Sequence, residues 1–272
     1  IKFVKENKIN LIHINLYHYS VNFWIAFLFL RLPIIIHIRG REWVDFFKKF
    51  IMSICCKKII CISEYTKRVF LQKRRSDFII KIGTDRLEVL YDGIDVYRFF
   101  PQKHINSLRK ECRVDDGENL IALIGAINPN KGQEIFVEVA KIVLQHYPKT
   151  KFLILGDPYF NTPDRLVYKT HIINLIDIYG LKESIIVHGY RDDMPQVMNA
   201  IDILVQPSQH EGLGISLIEA MACGLPAVVN NDEIRKEIIG DAGVLVDVTN
   251  TRFYSTALDD ALKTDWENKP RK

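Results

Sequence analysis

The residues best able to do chemistry lie between positions 206 and 226, QPSQHEGLGISLIEAMACGLP. The segment follows an apolar run, passes through a loop containing Gly212 and Gly214, and takes up helical spacing from Ile215 and Ser216 onward. The first N–H groups of a helix have no partner within it and the dipole adds partial positive charge. The turn at Gly214, Ile215 and Ser216 therefore suits a phosphate anion. Gly212 and Gly214 let the backbone approach such a ligand with no side chain in the way. Glu211 stands before the helix and Glu219 lies inside it, eight residues later. Lys131 follows the turn sequence Asn128-Pro129-Asn130, and His37 closes an apolar run just before Arg39-Gly40. Each also has a plainer reading: a turn lysine, a solvated helix glutamate, a structural histidine at a strand end.

These residues need elements to position them. Short Val/Ile/Leu-rich runs alternate with longer helical patterns from end to end, the signature of βα repetition and a parallel sheet. In the second half the runs predict strands over 120–127, 151–155, 184–188, 203–206, 227–230 and 244–246. Helices are expected over 133–146, 164–179, 194–200, 215–223, 233–239 and 252–263, which completes a doubly wound domain. The first half predicts strands over 9–14, 34–38, 58–62 and 87–90, with helices near 21–30, 43–55 and 64–71. A polar stretch from 91 to 119, with the turn signal Asp92-Gly93 and the helix stop Pro101, separates the two. The expected organisation is a partial first domain over 1–95, a linker over 96–118 and a second domain over 119–272. In open parallel sheets ligands sit beyond the carboxyl ends of the strands, so the loops after the strands are where binding is expected.

Composition narrows the classes. With 272 residues, 48% hydrophobic and 26% charged, the chain has material for about two cores and is neither disordered nor a disulfide-stapled miniature. A net charge of +4 is too small to point to a nucleic-acid partner. Five scattered cysteines, an odd number with no metal-ligand spacing, fit a reduced, cytoplasmic compartment and give no metal site. The apolar stretch 21–38 is interrupted by Arg31 and Pro33, so it reads as a helix, a turn and a buried strand rather than a membrane span.

Taken together, EGLGISLIEAMACGLP (211–226) and EIIGDAGVLV (237–246) resemble the retaining glycosyltransferases of GT-B architecture in family 4. So do LIGAINPNKGQE (123–134), FLILGD (152–157), ICISEYTKRVF (60–70) and VLYDGIDVYRF (89–99). The resemblance implies an α/β fold of two facing Rossmann-like domains and transfer of a sugar from a nucleotide-diphosphate sugar to a glycan, lipid or other acceptor with retention. By that resemblance Glu211 would bind donor-sugar hydroxyls and Glu219 the ribose. The amides of Gly214, Ile215 and Ser216, with Gly212 and Gly125 close by, would hold the diphosphate. Lys131 would set a positive charge against the leaving group, His37 would lie near the sugar, and no metal would be needed. The nucleotide base would be met by backbone around 187–190. A nucleotide-sugar epimerase, or a non-catalytic nucleotide-sugar-binding subunit, would fit the same architecture.

Two departures stand out. Ala126 follows Gly125 where the family usually has arginine, which leaves Arg39 or Arg191 as candidate replacements. The family's opening βα units are not found before Ile1, so the first domain is expected to be truncated. The region 39–75 carries net +8, leaving −4 elsewhere, and Trp43, Phe47, Phe50, Ile51 and Ile54 fall at helical spacing within it. A basic amphipathic helix fits peripheral contact with an anionic membrane at the cytoplasmic face. It fits better a helix with its apolar side on the sheet and a solvated basic outer face.

Overall fold

The computed structural model describes residues 2–15, 32–40, 46–72, 84–102, 107–158, 163–209, 211–264 and 266. Its contacts define two units, Ile1–Gly93 with Glu211–Leu213, and Ile94–His210 with Gly214–Lys272.

The first unit opens with α1 (Lys2–Glu6) and continues through β1 (Ile12–Ile14), β2 (Ile34–Ile38), α2 (Phe46–Cys55), β3 (Cys56–Cys61), α3 (Glu64–Leu71) and β4 (Leu87–Val89). The described strands form one parallel sheet in the order β1-β2-β3-β4. The run of β2, apolar but for His37, suits a strand covered on both faces. Ile34, Ile36 and Ile38 are buried with Met52, Ile59 and Phe70. Ser63 caps α3 by accepting the Thr66 N–H at 3.0 Å. The helix expected near 21–30 and Trp43 lie outside the described residues.

In α2 the apolar residues do not all turn inward. Met52 is buried, and so is Lys49, whose ammonium donates to the Gln72 carbonyl at 3.1 Å. Phe50 and Ile54 are 44% and 57% exposed. Met52 packs with Ile34, Ile36 and Ile59 of the sheet, and at about 100° per residue positions 50 and 54 lie about 160° from it, so they are left outside. The basic region is also partly neutralised: Lys58 pairs with Glu88, Lys67 with Glu64, and Arg39 with Asp92.

The second unit runs α4 (Ser107–Glu111), β5 (Asn119–Ile124), α5 (Gln133–Val143), β6 (Thr150–Leu155), α6 (Pro163–Ile178), β7 (Ile185–His188), α7 (Met194–Ala200) and β8 (Ile203–Gln206). It ends with α8 (Ile215–Ala222), β9 (Ala227–Asn230), α9 (Glu233–Ile238), β10 (Gly243–Val246) and α10 (Thr251–Lys263). Its parallel sheet has the order β10-β9-β8-β5-β6-β7. Alternate residues of β5 face opposite cores: Leu120 and Ala122 pack towards Val197 and Leu217, while Ile121 and Leu123 pack towards Phe136 and Leu258. The six expected strands are all present. β5 stops at Ile124 instead of reaching 127, because Gly125 takes φ +154° and leaves the ladder. The chain places β6 and β7 on one side of β5 and β8 to β10 on the other. The topological switch point therefore falls between β5 and β8.

Candidate active site

The loops after β5 and β8 carry most of the residues singled out in the sequence. After β5, Asn128 accepts the Asn130 N–H at 3.0 Å and starts a 3-10 turn, Pro129–Lys131. Gly132 closes the turn at φ +75°, and a Cβ there would lie 2.9 Å from the Pro207 carbonyl oxygen. That close approach joins the two loops, as does a hydrogen bond from the Gln209 N–H to the Asn130 carbonyl at 3.2 Å. Lys131 folds over Gly125, its Nζ 3.8 Å from where a Cβ on residue 125 would sit.

After β8, Gly214 takes the left-handed conformation (φ +79°) as the N-cap of α8 and, being glycine, supplies no side-chain cap. The backbone positions the Gly214, Ile215 and Ser216 amides at its positive end. Ser216 Oγ receives a hydrogen bond from Gln206 Nε2 at 2.8 Å. Glu219 is half-buried one turn further on. Burial raises its carboxyl above the usual range, an effect that the charge of Arg98 opposes.

A cavity of about 420 Å³ opens in the same unit, lined by Gly125, Ala126, Gly156, Asp157, Tyr190 and Arg191 among others. Asp157 stiffens its rim by accepting from the Tyr190 N–H at 2.7 Å and the Lys169 ammonium at 3.0 Å, contacts that lower its carboxyl. Arg191 lies in the lining but is held by Asp193, at 2.7 and 2.6 Å, and by Glu111.

Glu211, Gly212 and His37 belong to the first unit. Glu211 and Gly212 are half-buried. His37 is the penultimate residue of β2 and is 6% exposed, and its Nε2 has no hydrogen-bond partner among the described residues. Burial and the Arg39 guanidinium lower its pKa, so the ring is neutral near pH 7. The His13 ring stacks beside it at 6.2 Å between centroids. Both cations considered as replacements at the Ala126 position thus stand in ion pairs, Arg39 with Asp92 and Arg191 with Asp193 and Glu111.

The sequence reading missed Gln206, Arg235 and Asp157. Gln206 is the one polar residue in the four of β8, and Arg235 is a charged residue between the apolar positions of α9, weak signals that acquire meaning only through their partners. Among the described residues no group of three or more His, Cys, Asp or Glu is placed to hold a metal ion.

Two Rossmann-like parallel-sheet units, with a glycine-started helix following β8 at the switch point, define an α/β protein of GT-B architecture. The chain belongs to the glycosyl transferases group 1 family, whose sequence model matches residues 104–272. It is 24% identical over 193 residues to the UDP-Gal:alpha-D-GlcNAc-diphosphoundecaprenol alpha-1,3-galactosyltransferase of Escherichia coli, covering 70% of this chain and 46% of that protein. The chain thus spans about half the length of that relative. It shares its fold with HepE from Anabaena, solved with UDP and glucose: TM-score 0.81, 21% identity, 96% of this chain and 71% of that one. A C-terminal domain of a group 1 glycosyl transferase, LpcC from Francisella tularensis, matches with TM-score 0.56 and 28% identity, covering 63% of this chain and 89% of that one.

Proposed function

We propose that the protein transfers a sugar from a nucleoside diphosphate sugar to a glycan or lipid-linked acceptor, with retention at the anomeric carbon. The observation that carries this reading is the joining of the Lys131 turn to the loop that leads into α8. A cation and a helix N-terminus thereby share the switch point of one sheet.

In this reading the amides of Gly214, Ile215 and Ser216 and the Lys131 ammonium hold the diphosphate and stabilise the charge that grows on it as the bond to the anomeric carbon breaks. Their positive charge serves where a metal ion would otherwise be required. Glu219 accepts from the ribose hydroxyls, and the base occupies the cavity beside Gly156 and Tyr190. Glu211 accepts from sugar hydroxyls, and neutral His37 offers its unpartnered Nε2 to the sugar. The acceptor hydroxyl attacks the face from which the diphosphate leaves. A bond forms from its oxygen to the anomeric carbon, and its proton passes to the departing phosphate oxygen. Holding the two partners together supplies much of the acceleration.

The E. coli relative's name specifies a diphosphoundecaprenol acceptor, which supports a lipid-linked acceptor here. Contact with an anionic membrane is part of the proposal. Phe50 and Ile54 face outward on α2 with Lys57 exposed close by, the mixed apolar and cationic surface that an interfacial helix presents. No described helix is long and apolar enough to cross a membrane. The scattered, odd-numbered cysteines support a cytoplasmic placement.

The test is incubation of the chain with labelled UDP-, GDP-, ADP- and dTDP-sugars and a panel of glycan and polyprenyl-diphosphate acceptors, with the anomeric configuration of the product read by NMR. Transfer with retention is expected. Donor binding without turnover in any combination, unchanged by Ala126→Arg, supports instead a nucleotide-sugar-binding subunit.

A further inference from the structure

Arg235 is 1% exposed, a depth at which a guanidinium is costly unless its N–H groups find acceptors. They do. Nη1 pairs with Asp232 one helical turn back, Nη2 donates to Ser208 Oγ at 2.9 Å, and Nε donates to Gln206 Oε1 at 3.4 Å. A guanidinium has donors only, so the Gln206 amide has to turn its oxygen towards Arg235 and its nitrogen away. That nitrogen meets Ser216 Oγ at 2.8 Å. Because the amide nitrogen donates, Ser216 Oγ accepts, and the hydroxyl hydrogen must point elsewhere. Ser216 is the second residue of α8, in the first turn of a helix whose N-cap is Gly214. The same amide lies under the residue that starts the helix: a Cβ on Gly214 would be 3.3 Å from Gln206 Oε1.

We propose that Arg235 and Gln206 are positioning residues that hold the Ser216 hydroxyl with its hydrogen directed to the donor diphosphate, making Ser216 a ligand through its side chain as well as its amide. The inference rests on the reading of the α8 N-terminus as the diphosphate site. It gives the chain a fixed neutral donor in a site where Ala126 supplies none. Arg235 touches no substrate. It acts by allowing the Gln206 amide a single orientation.

The experiment is calorimetric titration of the full chain and its variants with UDP, GDP, ADP and dTDP and with the four matching nucleosides, alongside thermal unfolding. A hydrogen bond to a charged group is worth enough that Ser216→Ala should weaken diphosphate binding about tenfold. Gln206→Met should do the same, and the double variant should lose no more than either single one, while nucleoside affinity and the unfolding temperature of Ser216→Ala stay at wild-type values. Arg235→Met should match Ser216→Ala, and Arg235→Lys, which retains a donor-only cation, should keep more affinity. The Ser216 and Gln206 pair decides the matter even where Arg235→Met fails to fold. Losses that multiply in the double variant, equal losses for nucleoside and diphosphate, or wild-type binding by Ser216→Ala overturn the proposal while the functional reading stands. A wild-type chain that binds none of the four diphosphates overturns both.

Discussion

Lys131 lies over Gly125, with Nζ 3.8 Å from the position a Cβ on residue 125 would occupy. Glycine at 125 ends β5 with φ +154°, and the Lys131 side chain lies over it at van der Waals distance. The placement ties a cation to a strand end, the most rigid support the sheet offers, rather than to the flexible reach of a surface lysine.

From that placement, Lys131→Ala should lower the transfer rate by about 10²- to 10³-fold, as loss of a donor aimed at developing negative charge does. Steady-state kinetics with the donor identified in the panel check it. Lys131→Arg should recover part of the loss. A rate within threefold of wild type for Lys131→Ala, on the order of the scatter among surface substitutions, would remove the lysine from the site.

Ala126 predicts a gain. Residue 126 lines the cavity, and Arg39 and Arg191 are held in ion pairs, so an added arginine faces a site with few cations to spare. Ala126→Arg should tighten nucleoside diphosphate binding about tenfold, the worth of one charge-assisted hydrogen bond. Calorimetry with the diphosphate and with the matching nucleoside separates this from an effect on the base.

The two glutamates should separate by ligand. Glu211→Gln should slow transfer and leave affinity for the free nucleoside diphosphate unchanged, because that ligand lacks the sugar to be transferred. Glu219→Gln should weaken the diphosphate and the nucleoside alike. The Glu219 carboxyl is raised by burial, so it takes up its proton at a higher pH than an ordinary glutamate. In the proposed function an ionised Glu219 accepts from the ribose, so nucleoside affinity should fall as pH drops from neutral through that raised value, and Glu219→Gln should flatten the profile. Stability runs the other way. The neutral form is favoured in the folded chain, so the burden of keeping Glu219 charged is present at neutral pH and relieved as pH falls.

Most of the fold was legible because β5, β6, β8 and β9 are short Val/Ile/Leu runs bounded by turns, and strands covered on both faces need that composition. The glycine-rich start of α8 was legible for a related reason: backbone left open at a helix start leaves its mark as missing side chains. Gln206 and Arg235 were not legible. Their importance lies in what an amide must do once a donor-only group faces it, and such orientation is absent from any spacing rule. The sequence left open whether Phe50 and Ile54 of α2 face the sheet or the outside, because they are as apolar as Met52. Only the position of β3 determines which of them meets the sheet.

The joining of the two loops predicts a stability effect at Gly132. Its φ of +75° is a conformation that costs an L-residue about 1–2 kcal/mol. A methyl group there would also press on the Pro207 carbonyl oxygen at 2.9 Å and on Pro207 Cγ at 3.0 Å. Neither neighbour yields cheaply, since one is backbone and the other a closed ring. Gly132→Ala should therefore destabilise the second unit by about 2–4 kcal/mol, strain and overpacking together. For a unit of this size that lowers Tm by roughly 4–16 °C, read by scanning calorimetry. Whatever fraction remains folded should bind nucleoside diphosphate more weakly, because relief of the clash moves the Lys131 turn away from the loop that leads into α8. Wild-type Tm and affinity in Gly132→Ala would mean that the two loops are not held together by this contact.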